Sequence, residues 1–336
     1  MAVSVGTPLR VHPTAHPVPG TVLPEPLART APAGPNRRLG VAAIVISAAA
    51  MGTAGLFGRM ATPAGAVLGE ALTLGRMLVG ALGMLVLLAV SRRLGRLRRI
   101  RLSWSIVLGG IFLGLSLATY LSATVLTDLS RAVALHYLGP VVATVLARLL
   151  LRESVTRLDA LSLGAGFLGM LLAAGLIGGA PSAGGDQETL GTVLGVASGV
   201  FYGAALLCYR YRSDMPADVR SFWTFTFGAV GTGAMVVVTR PDLSGMTAVH
   251  WAWAAGFFVV CGLLALGLLV VAGKHLRAAE LSGLSYFEVV VALALGAVVF
   301  TESVSLLAVL GAGLIVAAMA LPVLAGRRKS GALRSR

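Results

Sequence analysis

The chain has 336 residues, of which 57% are hydrophobic and 12% are charged, and its mean hydropathy is +0.89. Soluble globular proteins are about 25% charged, so this composition excludes a soluble enzyme, a disordered protein and a coiled coil. It indicates a polytopic membrane protein. The formal net charge of +14 is then explained by basic cytoplasmic loops, and no nucleic-acid partner is expected.

The chain begins with a tail and continues with a series of apolar stretches. Residues 1–36 are rich in proline and lack an apolar run long enough for a signal peptide, which predicts a disordered cytoplasmic tail. Stretches of about 20 mostly apolar residues follow, the length that spans a bilayer as a helix. They lie at 39–58, 67–91, 102–127, 131–151, 158–180, 189–209, 220–239, 249–273, 278–300 and 304–326. Because they are too long for barrel strands, the predicted fold is all-α with ten transmembrane helices.

The connections between successive predicted helices alternate between the two sides of the membrane and so form two sets. The basic residues are divided unequally between these sets. Of the 27 Lys and Arg residues, only Arg59, Arg131 and Arg240 lie in one set, and Arg76 lies within a helix. The other 23 lie in the set that includes both termini, among them the basic tail at 327–336. Since basic loops stay on the cytoplasmic side, we expect a multi-pass plasma-membrane protein with both termini in the cytoplasm.

An internal repeat divides the membrane region into two halves, 37–182 and 183–326. Residues 136–155 (HYLGPVVATVLARLLLRESV) and 285–304 (SYFEVVVALALGAVVFTESV) share eight of twenty positions without gaps. A fainter match makes Arg59 equivalent to Arg210. Each half has five predicted helices, an odd number, so the second copy enters the membrane from the opposite side. Inverted repeats of this kind are typical of transporters with alternating access; the alternative is a duplicated membrane scaffold without a transport role.

The repeated motif resembles a known family. Pro140 is followed thirteen residues later by Glu153, where the next connection opens, and Glu302 has the same place in the second copy, with Val289 at the proline position. Together with the five-plus-five pattern, this spacing resembles the EamA-domain members of the drug/metabolite transporter (DMT) superfamily, with one EamA-like repeat in each half. The resemblance implies a secondary transporter for small metabolites, often an exporter of amino acids or related compounds.

Two ionisable residues lie near the middles of predicted helices. Arg76 is about ten residues, roughly 15 Å, inside the second helix, and Glu288 lies at a similar depth in the ninth. A charge at such depth costs at least about 2.5–3.5 kcal/mol on insertion scales, so each should face a partner or a wet cavity. Arg76 is predicted to contact a substrate anion, to take part in gating, or to form a structural ion pair. Glu288 is predicted to couple transport to protons, to bind a substrate ammonium, or to pair with Arg76.

Polar and aromatic residues on neighbouring helices are predicted to line a central cavity around these charges. They are Tyr120, His136, Tyr137, Tyr202, Trp223 and Tyr286. Aromatic residues near helix ends have the alternative role of interfacial anchors, and His136 that of a packing histidine. Glu153 and Glu302 lie at helix–loop junctions and are predicted to cap the helices that follow them.

The sequence lacks the motifs of several other functions. It has no Walker A loop, no HExxH motif and no CxxC motif, and its two cysteines, Cys208 and Cys261, lie within apolar stretches. We therefore expect no cofactor, no metal and no enzymatic activity. The predicted function is proton-coupled secondary transport of a small organic metabolite, amino acid-like or amine- or drug-like, in the direction of export. The alternatives are an uncoupled facilitator or channel and an integral-membrane enzyme.

Glycines recur every fourth residue along the sixth predicted helix, at Gly191, Gly195, Gly199 and Gly203. Such a stripe allows another helix to approach closely. The partner helix belongs either to the same chain or to a second copy, so the sequence leaves a homodimer open.

Overall fold

The computed structural model describes residues 36–152, 157–173, 175–177, 185–211, 215–276, 284, 287–302 and 304–318. Within these ranges the chain is helical apart from its connections, and the described residues form no strand. The helices are α1 Arg37–Gly52, α2 Ala54–Met60, α3 Gly69–Val90, α4 Gly95–Arg99, α5 Trp104–Leu126, α6 Leu129–His136, α7 Gly139–Leu150, α8 Arg157–Ala173, α9 Asp186–Arg210, α10 Ala217–Thr239, α11 Ala248–Phe257, a π-helix Phe258–Leu264, α12 Ala265–His275, α13 Phe287–Val299 and α14 Leu306–Ala318.

Seven helical segments of the described chain are long and apolar enough to cross a membrane. They are Arg37–Met60, Gly69–Val90, Trp104–Leu126, Leu129–Leu150, Asp186–Tyr209, Ala217–Thr239 and Ala248–Gly273. Shorter apolar helices lie where the fifth, ninth and tenth spans are predicted, at Gly164–Ala173, Phe287–Val299 and Leu306–Ala318. The prediction of an all-helical membrane fold is confirmed, whereas the count of ten spans and the inversion of the repeats stay predictions.

Three of the spans that the sequence presents as continuous helices are interrupted. The first breaks at Thr53, whose hydroxyl donates to the Ala50 carbonyl at 2.6 Å. The fourth breaks before Pro140, which is placed in the first turn of α7, where its missing N–H leaves no helical hydrogen bond unmade. The eighth contains the π-helix Phe258–Leu264. The apolar pattern of the sequence continues through all three breaks and so does not reveal them.

Contacts between connections define two ends of the helix bundle. One end holds the pairs Arg59–Glu302, Arg131–Glu188 and Thr239–Glu70. The other holds the contacts of Arg93 and Arg96 with Asp218 and of Asn36 with His275. This grouping agrees with the alternation predicted from the basic residues. We call the first the outer end, because the charge distribution predicts that it faces away from the cytoplasm.

The glycine stripe of α9 packs against other helices of the same chain. A Cβ atom added at Gly195 would lie 2.9 Å from Leu135, and one at Gly199 would lie 2.5 Å from the Leu135 carbonyl oxygen. A Cβ at Gly203 would lie 2.6 Å from Val142. The stripe therefore lets α9 pack against α6 and α7, and this packing also presents the polar residues of α9 to α6.

A second close approach joins α5 and α10 and yields a test of the packing. A Cβ at Gly114 would lie 2.5 Å from the Gly228 carbonyl oxygen, which is a backbone atom that cannot move alone. We expect Gly114→Ala to lower the free energy of unfolding by about 1–3 kcal/mol because it overpacks this contact. Gly267→Ala is the matched control, since a Cβ there meets nothing within 4 Å. Thermal unfolding in detergent measures both, and equal stabilities would contradict the α5–α10 contact.

Candidate substrate site

Arg76 lies in the middle of α3 and is buried, with 3% of its surface exposed. Its guanidinium group donates to the Met51 sulfur at 3.1 Å and lies 5.4 Å from the centroid of the Phe257 ring. Among the described residues, no hydrogen-bond partner contacts its Nε atom and no carboxylate lies within ion-pair distance. A thioether is a weak acceptor, so this cation keeps donor capacity for a further partner.

Glu288 is the acidic residue whose charge interacts with the Arg76 guanidinium group. It is half-buried and lies in the first turn of α13. It interacts electrostatically with Arg76, and its carboxylate accepts a hydrogen bond from the Tyr137 side chain. The close approach of α1 and α13 depends on Gly52, where a Cβ would lie 2.8 Å from the Glu288 carbonyl oxygen. A cation and an anion thus face the same interior region without forming a direct ion pair.

His136 is the centre of an aromatic cluster beside these charges. Its ring stacks on the Tyr202 ring with centroids 4.7 Å apart and planes at 14°, and lies 4.9 Å from the Tyr120 ring. The Tyr137 ring meets it edge-on at 6.0 Å. A hydrogen bond of 2.6 Å joins its Nδ1 atom to the Ser198 hydroxyl. Because electrostatic interactions also link Arg76 with Tyr120 and with His136, the aromatic cluster and the charges form one site.

The interrupted helices converge on this site. Met51 lies two residues before the break at Thr53, His136 ends α6, and the π-helix begins directly after Phe257. Cys261, within the π-helix, interacts electrostatically with Arg76 and donates to the Ala50 carbonyl at 3.2 Å. Binding sites formed by discontinuous helices are typical of transporters, because broken helices expose backbone and side-chain polar groups inside the membrane.

Trp223, one of the predicted site residues, is not part of this cluster. Trp223 stacks on Phe227 at 5.6 Å and meets Phe222 at 5.1 Å, in a separate apolar cluster that includes Leu88 and Met215. It packs among apolar side chains there, and both its role in substrate binding and the alternative of an interfacial anchor stay predictions. Tyr286 lies outside the described residues, as does Glu153.

The structure adds site residues that the sequence does not single out. Met51, Phe257 and Cys261 surround the guanidinium group, and Ser198 orients the ring of His136. All four lie in apolar or glycine-rich stretches, where they look like ordinary packing residues. The position of Ser198 between two glycines of the α9 stripe was the one available signal, because that stripe marks a close helix contact.

Comparison with known proteins identifies the family. The model of the EamA-like transporter family matches residues 38–175 and 189–324. The chain belongs to the EamA-like transporter family. An uncharacterized transporter of Archaeoglobus fulgidus is 29% identical over 282 residues, which cover 83% of this chain and 94% of that protein. A solved crystal structure superposes with a TM-score of 0.62 at 20% identity, over 87% of this chain and 99% of the other, and this likeness shows the fold alone.

Family membership settles the broad class of this EamA-family chain. It is a multi-pass membrane protein, and both the family and the Archaeoglobus relative point to a transporter rather than an enzyme. The resemblance stated from the spacing of Pro140 and Glu153 is thereby confirmed. Among the described residues, no group of three or more His, Cys, Asp or Glu side chains is arranged to hold a metal ion.

The hydrogen bond between His136 and Ser198 supplies a prediction for the site. Ser198→Ala removes a buried partner of the ring nitrogen, so we expect the free energy of unfolding to fall by about 1–3 kcal/mol. Ser105→Ala, which removes a half-buried hydroxyl bonded to Ser103, should change it by less than about 0.5 kcal/mol. Thermal unfolding of both variants is the measurement. A Ser198→Ala variant as stable as the wild type would show that this hydrogen bond does not hold the cluster.

Proposed function

We propose that this EamA-family protein is a secondary transporter that exports a small organic metabolite across the plasma membrane by alternating access, coupled to protons. The substrate is amino acid-like or amine- or drug-like, and Arg76, Glu288 and the cluster around His136 bind it. The observation that carries the proposal is the buried cation of Arg76, which has an acidic neighbour in Glu288 but no direct ion pair with it among the described residues.

The charges of Arg76 and Glu288 are suited to a substrate that carries both a carboxylate and an ammonium group. A guanidinium group binds a carboxylate through two parallel hydrogen bonds, and the Nε atom of Arg76 is without a partner among the described residues. The Glu288 carboxylate is the counter-charge for an ammonium group on the same substrate. The tyrosine and histidine rings around His136 provide an apolar and polarisable wall for its remaining atoms.

Coupling to protons rests on Glu288. A carboxyl group within the membrane can be neutral in one state and ionised in another, depending on whether a cation lies close to it. Substrate ammonium and proton would then compete for the same carboxylate, so that release of one accompanies binding of the other. The broken helices and the predicted inversion of the repeats support the alternation of access, because both recur in carriers whose halves rock around a central site.

Substitution of Glu288 tests this coupling. Proteoliposomes containing the full chain are supplied with a mixed pool of labelled amino acids and amines, with and without an imposed pH gradient. We expect the wild type to accumulate a member of the pool with the gradient, and Glu288→Gln to lose that accumulation. Glu70→Gln is the matched control, since Glu70 is also buried but accepts its hydrogen bond from Thr239 at the outer end.

Three results would contradict parts of the proposal. Gradient-driven accumulation that persists in Glu288→Gln would remove Glu288 from coupling. Equilibration that ignores the gradient in the wild type would identify a facilitator or channel instead. The absence of flux for every member of the pool would exclude these substrate classes and reopen the question of an enzyme.

The role of Arg76 has its own test, which compares two substrates. Arg76→Gln should raise the apparent KM for a transported amino acid by about 30-fold, because a charge partner worth about 2 kcal/mol is lost. The amine that remains when the carboxylate is removed from that amino acid should keep its KM within about threefold. Uptake rates over a concentration series measure both. Equal changes for the two substrates would show that Arg76 does not recognise the carboxylate.

A further inference from the structure

A second group of charges lies at the outer end, away from the proposed substrate site. The Arg59 guanidinium, on α2, forms an ion pair of 2.7 Å with the Glu302 carboxylate, which follows α13. The two side chains are 18% and 7% exposed. An ion pair so little exposed to water is screened weakly, and loss of either partner leaves an uncompensated charge in an apolar surrounding.

Arg59 is held by more than its acidic partner. Its Nη2 atom donates to the Thr127 carbonyl at 2.8 Å, and its Nε atom donates to the Thr124 carbonyl at the end of α5. The guanidinium carbon lies 4.4 Å from the centroid of the Phe300 ring. Two nitrogens of the guanidinium group thus bond to carbonyl groups at the end of α5 while the third pairs with Glu302, and lysine could not reproduce this set of bonds.

Glu302 is likewise held by several donors. Its carboxylate accepts the backbone N–H groups of Leu129 at 2.7 Å and Ser130 at 3.3 Å, which begin α6. A carboxylate is favourable at a helix N-terminus, which is why the sequence predicts that Glu302 caps the helix that follows it. The capped helix is α6, however, and not the helix that follows Glu302 in the chain, because the fold brings a distant helix end beside it.

These contacts join the two predicted repeats. Arg59, Thr124, Thr127 and Leu129 belong to the first repeat, and Glu302 belongs to the second. Arg131 of the first repeat and Glu188 of the second form another ion pair at the same end. Asp128 lies between the pairs, and burial together with the Glu302 carboxylate raises its pKa above the ordinary value, against the influence of Arg131 and Arg59.

We propose that the Arg59–Glu302 ion pair is a latch that closes the outer end between the two repeats and must break for the site to open outward. The proposal rests on the alternating access proposed above. The helix that Glu302 caps, α6, is eight residues long and ends at His136. One short helix therefore joins the latch to the substrate site, so that a shift of α6 on substrate release is transmitted to the carboxylate.

A native cysteine reports on the state of the latch. Cys261 is buried and lies beside Arg76, and its sulfur is 3.8 Å from the Thr53 hydroxyl, six residues before Arg59 on the same span. Replacement of Cys208 by serine removes the other cysteine of the chain. Cells that express this single-cysteine chain are treated from outside with a membrane-impermeant methanethiosulfonate, and the rate at which Cys261 is modified is measured.

The latch predicts a definite order of labelling rates. Arg59→Gln and Glu302→Gln should each increase the rate about tenfold, and the double variant should be no faster than the faster single variant, because both remove one interaction. Arg59→Lys, which retains the charge but not the donor fork, should lie between the wild type and Arg59→Gln. Arg240→Gln is the matched control, an exposed arginine at the same end, and it should label at the wild-type rate.

The same experiment distinguishes a latch from a static ion pair, and it distinguishes failure of the latch from failure of the transport proposal. Variants that lose thermal stability but label at the wild-type rate would overturn the latch, as would rate increases that simply multiply in the double variant. Labelling requires no substrate, so faster labelling supports the latch even if no pool member is transported. Transport that depends on Glu288 with unchanged labelling would leave the carrier intact and exclude the latch.

Discussion

The arrangement of this protein depends on one constraint, which is that a permanently charged guanidinium group lies inside an apolar helix bundle. Insertion of such a group is unfavourable, and it is tolerated where polar or polarisable groups surround it. Arg76 meets the Met51 sulfur, the Phe257 ring and the field of Glu288, and no carboxylate of the described residues neutralises it by direct contact. This cation keeps donor capacity for a further partner, which the proposed function assigns to the substrate.

The bundle combines close glycine packing with interrupted helices. Glycines bring α5 against α10 and α9 against α6 and α7 so closely that a methyl group would not fit. The breaks at Thr53, before Pro140 and within Phe258–Leu264 lie on helices that surround Arg76, and one of these spans, α6 with α7, is also packed on the α9 glycines. A continuous packed helix resists deformation, whereas a break concentrates any change of angle in a few residues. The proposed substrate site therefore lies beside the positions where these spans bend most easily.

Much of the fold and part of the candidate site could be predicted from the sequence. Physical reasons explain why the remainder could not. For the seven long spans of the described residues, the apolar runs predicted the bounds within three residues at each end, as in 67–91 against Gly69–Val90, because hydropathy is a property of local composition. A charge or a histidine within such a run is conspicuous, so the sequence singles out Arg76 and His136, and the fold brings the two close enough to interact. Their role in transport stays a prediction. The helix breaks could not be predicted, since a single displaced residue leaves the apolar pattern unchanged. The pairing of Arg59 with Glu302 was not found either, because no local pattern relates residues so far apart in the chain.

The π-helix at Phe258–Leu264 has a consequence for sequence comparison. A π-turn contains one residue more than an α-turn, and one residue turns a helix by about 100°. The side of this span that contacts Arg76 through Phe257 and Cys261 is therefore out of phase with the side that, after Leu264, contacts Ser47. A relative that lacks the extra residue would present different side chains downstream while keeping the same hydropathy profile. Gapless alignment across this turn would then assign the wrong positions to the side of the span that contacts Arg76.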